Sequence, residues 1–172
     1  GHLLVSQLTK LLRGKPEELP EKISTLLDRV KSTERDLAAL QSQLLRSKAA
    51  DIAEGATRVG VVRMAKADLG TVSSADAVRD VVLDVRNRLG ASEPVVVALG
   101  AVMIDRPILV VATNQSARDG GILAGVLVRS GANVHGVGGG GKADVAQGGG
   151  TDPNALQDAL QAVAAQVSGV AS

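Results

Sequence analysis

Ile23, Val30, Leu37 and Leu44 recur at seven-residue intervals, with Leu26 and Leu40 between them. This spacing predicts one long helix from Pro20 to about Ala53 with a coiled-coil-like seam. Thr33 and Ser47 interrupt the seam. One apolar stripe serves equally to pack on a neighbouring helix or on other domains of a parent chain, which is the expectation here, with self-association as the alternative. Ahead of it, Leu3, Leu4, Val5, Leu8, Leu11 and Leu12 predict a short amphipathic helix ending near Gly14. Lys15-Pro16-Glu17-Glu18-Leu19-Pro20 joins the two, its prolines and acids suited to a helix start.

The pattern changes at Arg58. Val59 to Met64 reads as a strand, and Ser73 or Ser74 caps a helix that runs to Leu89 and stops at Gly90. Val78, Val81, Val82, Val85 and Leu89 form its buried stripe, and Asp84 precedes Arg88 by four residues, a favourable helical pair. Pro94 to Leu99 and Ile108 to Thr113 are continuous apolar runs, as strands covered on both faces would be. Gly100 to Pro107 is short enough to join them as an antiparallel hairpin. A helical crossover before them makes the first two strands parallel. Ser116-Ala117-Arg118-Asp119 resembles a capping box opening another helix, which Gly131 ends, and Asn133 to Gly136 reads as a short last strand. Asp152-Pro153 starts the final helix, with Val170, Ala171 and Ser172 fraying at its end. The expectation is an α/β (α+β) chain of two parts. Residues 1–57 form a helical arm, and residues 58–172 a globular glycine-rich unit with a small mixed sheet flanked by helices.

Between the last two elements lies Gly136 to Asp152, with eight glycines in seventeen residues. Glycine lets another backbone or a ligand approach closely, and so dense a run has to be held by its surroundings. Within it, Gly138-Gly139-Gly140-Gly141-Lys142-Ala143-Asp144-Val145-Ala146-Gln147-Gly148-Gly149-Gly150 resembles the glycine-rich signature near the C-terminus of bacterial alanyl-tRNA synthetases, usually Gly-Gly-Gly-Arg-Pro-Asp-Met-Ala-Gln-Ala-Gly-Gly. Asp144, Ala146, Gln147, Gly149 and Gly150 match. Lys142 stands for Arg, Ala143 for Pro, Val145 for Met and Gly148 for Ala. The resemblance extends upstream to about Leu11, through Pro-Glu-Glu-Leu-Pro-Glu-Lys at 16–22. The same accessory domain occurs in DHH-type phosphoesterases.

Composition narrows the chemistry. Phe, Trp and Tyr are absent, so the core is Val, Leu, Ile and Ala, and no aromatic platform exists on which unpaired bases could stack. Cysteine is absent, which removes disulfides and Cys-ligated zinc and fits a cytoplasmic protein. The net charge is +1, too small for a broad electrostatic grip on nucleic acid. No apolar run reaches membrane-spanning length, so no membrane partner is expected. Gly1-His2 reads as a cloning remnant and the missing initiator Met as the sign of an excised fragment.

Catalytic chemistry is not assembled. His135 stands alone beyond the N-terminal His2 and reads as structural. No serine sits in a nucleophile elbow. Gly136 to Lys142 can be forced onto a P-loop, yet Ala143 occupies the place where Ser or Thr would hold magnesium, and no helix opens inside the glycines. What remains is contact with phosphate and 2′-hydroxyl groups, the mode used on folded RNA. The candidate RNA-facing groups are Lys142, Arg118, Arg63, Lys66 and the backbone N–H groups of Gly139, Gly140, Gly141 and Gly149. Asp144 and Gln147 are expected to shape the loop. Arg79 and Arg86 read as solvated surface residues.

The resemblance implies a non-catalytic, tRNA-binding C-terminal domain of an alanyl-tRNA synthetase. Such a domain contacts the outer corner of tRNA(Ala), formed by the D- and T-loops, and helps the catalytic and editing domains of the parent act on one tRNA. It also implies no cofactor for this chain, with ATP, magnesium and zinc used elsewhere in the parent. The alternatives are an accessory nucleic-acid-binding domain of a DHH-type phosphoesterase and a coiled-coil oligomerisation module.

Overall fold

The computed structural model describes residues 1–135 and 138–171, except for the side chains of 132–135 and 138–141. The chain divides into two compact units, Gly1–Leu44 and Leu45–Ser172.

In the first unit, α1 (His2–Leu12) ends on Arg13 in the left-handed region, and a 3-10 turn (Pro16–Glu18) leads into α2 (Leu19–Glu54). Lys22 fastens the turn, its Nζ donating to the carbonyls of Leu12 at 3.0 Å and Arg13 at 2.8 Å. Those carbonyls lie at the end of α1, where a cation is favoured. Of the two packings expected for the seam, the one against α1 is not made. Ile23, Leu26, Val30, Leu37, Leu40 and Leu44 are all exposed. Sequence places the division of the chain at 57/58. The two units meet instead between Leu44 and Leu45, because Ala49 and Ala53 are buried in the second unit's core with Leu45 and Ile52 packed beside them.

The second unit is built on a six-stranded mixed sheet in the order β1-β2-β3-β4-β6-β5. Thr57–Val59 (β1) and Val62–Thr71 (β2) form a hairpin over Gly60-Val61, so the single strand read over Val59 to Met64 is in fact a turn between two strands. Gly60 has φ +61°, which suits glycine at the first of two turn residues. The crossover helix α3 (Ala75–Leu89) is capped by Ser74, whose hydroxyl accepts from Ala77 N–H, and it buries the expected stripe. It returns the chain to β3 (Val95–Met103), parallel to β2. A two-residue turn, Ile104-Asp105, then leads to antiparallel β4 (Arg106–Thr113). All residues from Val95 to Ala101 are buried, which explains the unbroken apolar run.

After β4 the chain departs from expectation. The N-cap of α4 (Gln115–Asp119) is Asn114, not Ser116. Gly121 at φ +85° then breaks the helix before α5 (Ala124–His135). Gly131 does not end α5. It lies inside it, where an added Cβ would stand 3.1 Å from Leu109 Cδ2 and 3.3 Å from the Ala159 carbonyl. Asn133 to His135 are therefore helix rather than strand, while Gly136 and Val137 lie outside the described residues. The glycine stretch is no loop but a third hairpin, β5 (Gly138–Gly141) and β6 (Val145–Gly149), with β6 also paired to β4. Asp152 caps a 3-10 turn (Pro153–Ala155) that enters α6 (Leu156–Ala171).

Two cores follow from strand alternation. One face of the sheet packs Ala65, Val97, Leu99 and Val110 beneath α3 and the end of α2. The other packs Met64, Val96, Leu109 and Val111 beneath α5 and α6. Gly100 sits where Leu156 of α6 presses closest, since an added Cβ would come within 2.6 Å of Leu156 Cδ1.

Candidate nucleic-acid interface

Gly141 pairs with Ala146, which leaves Lys142-Ala143-Asp144 at the tip of the glycine hairpin. Strands of glycine have little side-chain surface to pack, so something else must hold them. Here β6 is hydrogen-bonded on both sides, and α5 lies across β5 and β6, approaching where side chains are missing. The tip itself is held by its main chain. Thr113, fully buried at the end of β4, donates its N–H to the Asp144 carbonyl at 2.9 Å and its hydroxyl to the Ala143 carbonyl at 2.8 Å. Ala124 N–H, one of the unpaired donors at the start of α5, also reaches the Ala143 carbonyl at 2.8 Å. Among the described residues, these bonds hold the tip without the side chain of Asp144 or Gln147. Gln147 is exposed on β6, opposite Val110 and Gly140. Lys142 is exposed and makes no ion pair or hydrogen bond with the described residues.

Strand register shows which candidates meet. Arg63 pairs with Val95, and the adjacent Val96 pairs with Thr113, so Arg63 stands at the same sheet end as the hairpin tip. Arg118, on α4 directly after Thr113, is there too. Lys66 is three residues further along β2 and on the opposite face, beside Met64 and Ala98. Gly149 pairs with Ile108 at the far end of β4. Five residues separate it from Asp144, roughly 16 Å of strand. The sheet end thus gathers Lys142, Arg118 and Arg63, and leaves Lys66 and Gly149 outside. It adds two arginines that sequence reasoning did not select. Arg58, across from Arg63, bonds Glu93 at 2.7 Å, with Arg63 3.9 Å from the same carboxylate. Arg86, in the last turn of α3, donates to the Thr113 carbonyl at 3.3 Å.

That carbonyl accepts a second guanidinium, since Arg118 Nη1 also donates to it. Arg86, Asn87, Gly90, Gln115, Arg118 and Asp144 line a hollow of about 350 Å³. Burial lowers the Arg86 pKa from its ordinary value. Asp144 opposes that shift and the charge of Arg118 adds to it. Asn114 also lines it. Its Oδ1 accepts from Val95 N–H at 2.9 Å and Ala117 N–H at 3.0 Å, and its Nδ2 donates to the carbonyls of Glu93 at 2.7 Å and Gly90 at 3.2 Å. One buried side chain thereby ties the loop after α3 to β3 and α4. The sequence signal for it was a polar Thr113-Asn114 pair closing an apolar strand.

Chemically, the arrangement offers held guanidinium donors, one exposed ammonium group and two carboxylates, Glu93 and Asp144. Cysteine is absent, and among the described residues no three His, Cys, Asp or Glu side chains are grouped as a metal site would need. The side chain of His135 lies outside the described residues. Among those residues, no helix is long and apolar enough to cross a membrane.

Residues 57–169 match the model of the DHHA1 domain. The chain is 50% identical over 169 residues to the alanine–tRNA ligase of Kocuria rhizophila, covering 98% of this chain and 19% of that protein. It is 44% identical over 164 residues to the alanine–tRNA ligase of Leifsonia xyli, covering 95% of this chain and 18% of that one. The chain therefore spans less than a fifth of these relatives. Among solved structures, the C-Ala domain of the Aquifex aeolicus alanyl-tRNA synthetase superposes with a TM-score of 0.58 at 25% identity, covering 66% of this chain and 97% of that domain.

Proposed function

The chain belongs to the DHHA1 domain family, and on that premise we propose that it is the tRNA-contacting C-terminal domain of an alanyl-tRNA synthetase. The observation that carries the reading is the extent of the likeness. The family model accounts for residues 57–169, whereas the similarity to alanine–tRNA ligases runs through the helical arm as well, over 98% of the chain. That favours the synthetase over a DHH-type phosphoesterase. In this reading the domain holds the outer corner of tRNA(Ala), and the catalytic and editing domains of the parent act on the tRNA so held. ATP-dependent charging belongs to those other domains. The exposed seam of α2 is free to meet them or a second copy of the chain. The reading places the domain in the cytoplasm with the tRNA pool.

The contact is electrostatic and reads shape. With no aromatic residue to stack on bases, affinity comes from phosphates and 2′-hydroxyls. Lys142 is the leading group. It is exposed at the hairpin tip, and its backbone is fixed through Ala143 and Asp144, so little order is lost when a phosphate binds. The test is tRNA(Ala) affinity across a salt series for the wild type, Lys142→Ala, Arg63→Ala and Arg79→Ala. Lys142→Ala should weaken binding without lowering the melting temperature, and should flatten the log–log salt slope by about one unit or less, as for one lost phosphate contact. Arg79 lies two helical turns before Arg86, away from this sheet end, and its variant should bind as the wild type does. A chain that binds single-stranded DNA as tightly as tRNA(Ala), or a Lys142→Ala slope equal to the wild type, would refute the reading.

A further inference from the structure

We propose that the hollow between Arg86 and Arg118 is a phosphate site, separate from the contact made by Lys142. Two arginines from different helices converge on one acceptor, the Thr113 carbonyl. A guanidinium carries five N–H donors in a rigid fork. Among the described residues Arg86 commits one donor, to Thr113 at 3.3 Å, and Arg118 commits two, to Thr113 and to Gln115 Oε1 at 3.2 Å. Neither arginine has a carboxylate within ion-pair distance among those residues, unlike Arg58, Arg63 and Arg88. The two cations repel each other, and Asp144 is the single anion lining the hollow. The site is therefore net positive, rich in unused donors and only partly solvated. A phosphate oxygen pair matches the fork of a guanidinium and bridges two of them more favourably than water does.

The surroundings are built to keep the arginines there. Asn114 locks the loop after α3 to the start of α4, and so fixes the two helices that carry them. At about 350 Å³ the hollow exceeds a phosphate group alone, leaving room for an attached sugar. Its position beside Lys142 and Arg63 makes an RNA backbone phosphate the natural source. Only that choice of source rests on the function proposed above. A free phosphate or a small phosphorylated molecule has the same recognition chemistry.

The experiment is a titration of the 172-residue chain with inorganic phosphate, balanced with chloride to constant ionic strength, following the arginine Nε–Hε signals by NMR. The signals of Arg86 and Arg118 should shift and saturate, and the Arg86→Gln variant should lose the response at Arg118. Asp144→Asn removes the opposing charge but keeps the carbonyl that holds the tip, so it should tighten phosphate binding roughly three- to tenfold. Damage to the fold would weaken binding in both variants, so opposite signs separate charge from structure. A parallel tRNA salt series identifies the source. A slope lowered by about 0.7–0.9 unit in Arg86→Gln assigns the hollow to an RNA phosphate. An unchanged slope alongside the NMR response assigns it to a free phosphate compound. If the wild type fails to bind tRNA while its arginine signals respond, the tRNA reading falls and the phosphate site stands. Arginine signals that respond no more to phosphate than to chloride overturn the site, whatever the tRNA result.

Discussion

Asn114 uses each polar atom of its side chain inside the protein, two bonds at Oδ1 and two at Nδ2, while being 7% exposed. Replacing it with Ala removes the N-cap of α4, which costs about 1 kcal/mol. It also leaves the buried Val95 N–H and the part-buried Glu93 carbonyl without this partner, at about 1–3 kcal/mol more. Asn114→Ala should therefore lose about 2–4 kcal/mol in chemical denaturation, with α3, β3 and α4 loosening together in hydrogen exchange. Asn114→Asp keeps the acceptors but turns a donor towards two carbonyls into a carboxylate, and it should be at least as harmful. Neither Thr113 nor Asn114 was legible as a keystone. Each is defined chiefly by partners 19 to 31 positions away, and no local pattern announces such partners. Lys142 could be singled out because its motif is local, whereas the place of Arg86 beside the Thr113 carbonyl could not, because it depends on where α3 ends relative to β4.

At the scale of elements, sequence reasoning succeeded where periodicity and burial agree. The stripe of α3, its Ser74 cap and Gly90 stop, the parallel β2–β3 pair and the β3–β4 hairpin all appear as read. It failed where tertiary contact overrides local preference. Glycine has low strand propensity, so Gly138–Gly141 and Gly148-Gly149 read as loop. They are strands because β4 offers an edge and α5 covers the glycines. Gly131 read as a helix stop, yet it is interior because Leu109 and Ala159 crowd that point of α5. The β3–β4 turn shows the converse, a local choice that the fold tolerates at a cost. Ile104 has φ 48° and Asp105 φ 58°, as a type I′ turn requires, and a β-branched residue is strained there. Ile104 is 87% exposed, so little packing is lost by replacing it. Ile104→Asn should stabilise the protein by about 1 kcal/mol in thermal or urea unfolding. An unchanged or lowered stability would mean that the turn is held by something other than backbone preference.

For the whole molecule, the question is where the second unit begins as a folded body. Sequence periodicity sets the change at residue 58, and the family model begins at 57. Packing sets it earlier. Ala49 is fully buried and Ala53 8% exposed, and with Leu45 and Ile52 they complete the core beneath α3. Residues 23–44, by contrast, are exposed on every side of α2, and helix without tertiary support is marginal in water. Trypsin should therefore cut first among Arg29, Lys31 and Arg35, leaving a resistant C-terminal fragment that retains the end of α2. Two fragments make the comparison quantitative. One starting at residue 45 keeps the core intact, and one starting at 58 loses five apolar side chains from it, Leu45, Ala49, Ile52, Ala53 and Ala56. At about 25 cal/mol per Å² of apolar surface, the difference should be about 2–4 kcal/mol in favour of the longer fragment. The shorter one should bind a hydrophobic dye that the longer one does not. Equal stability of the two fragments, or first cleavage between Gly55 and Arg58, would show that the end of α2 rests on the sheet without contributing to its folding.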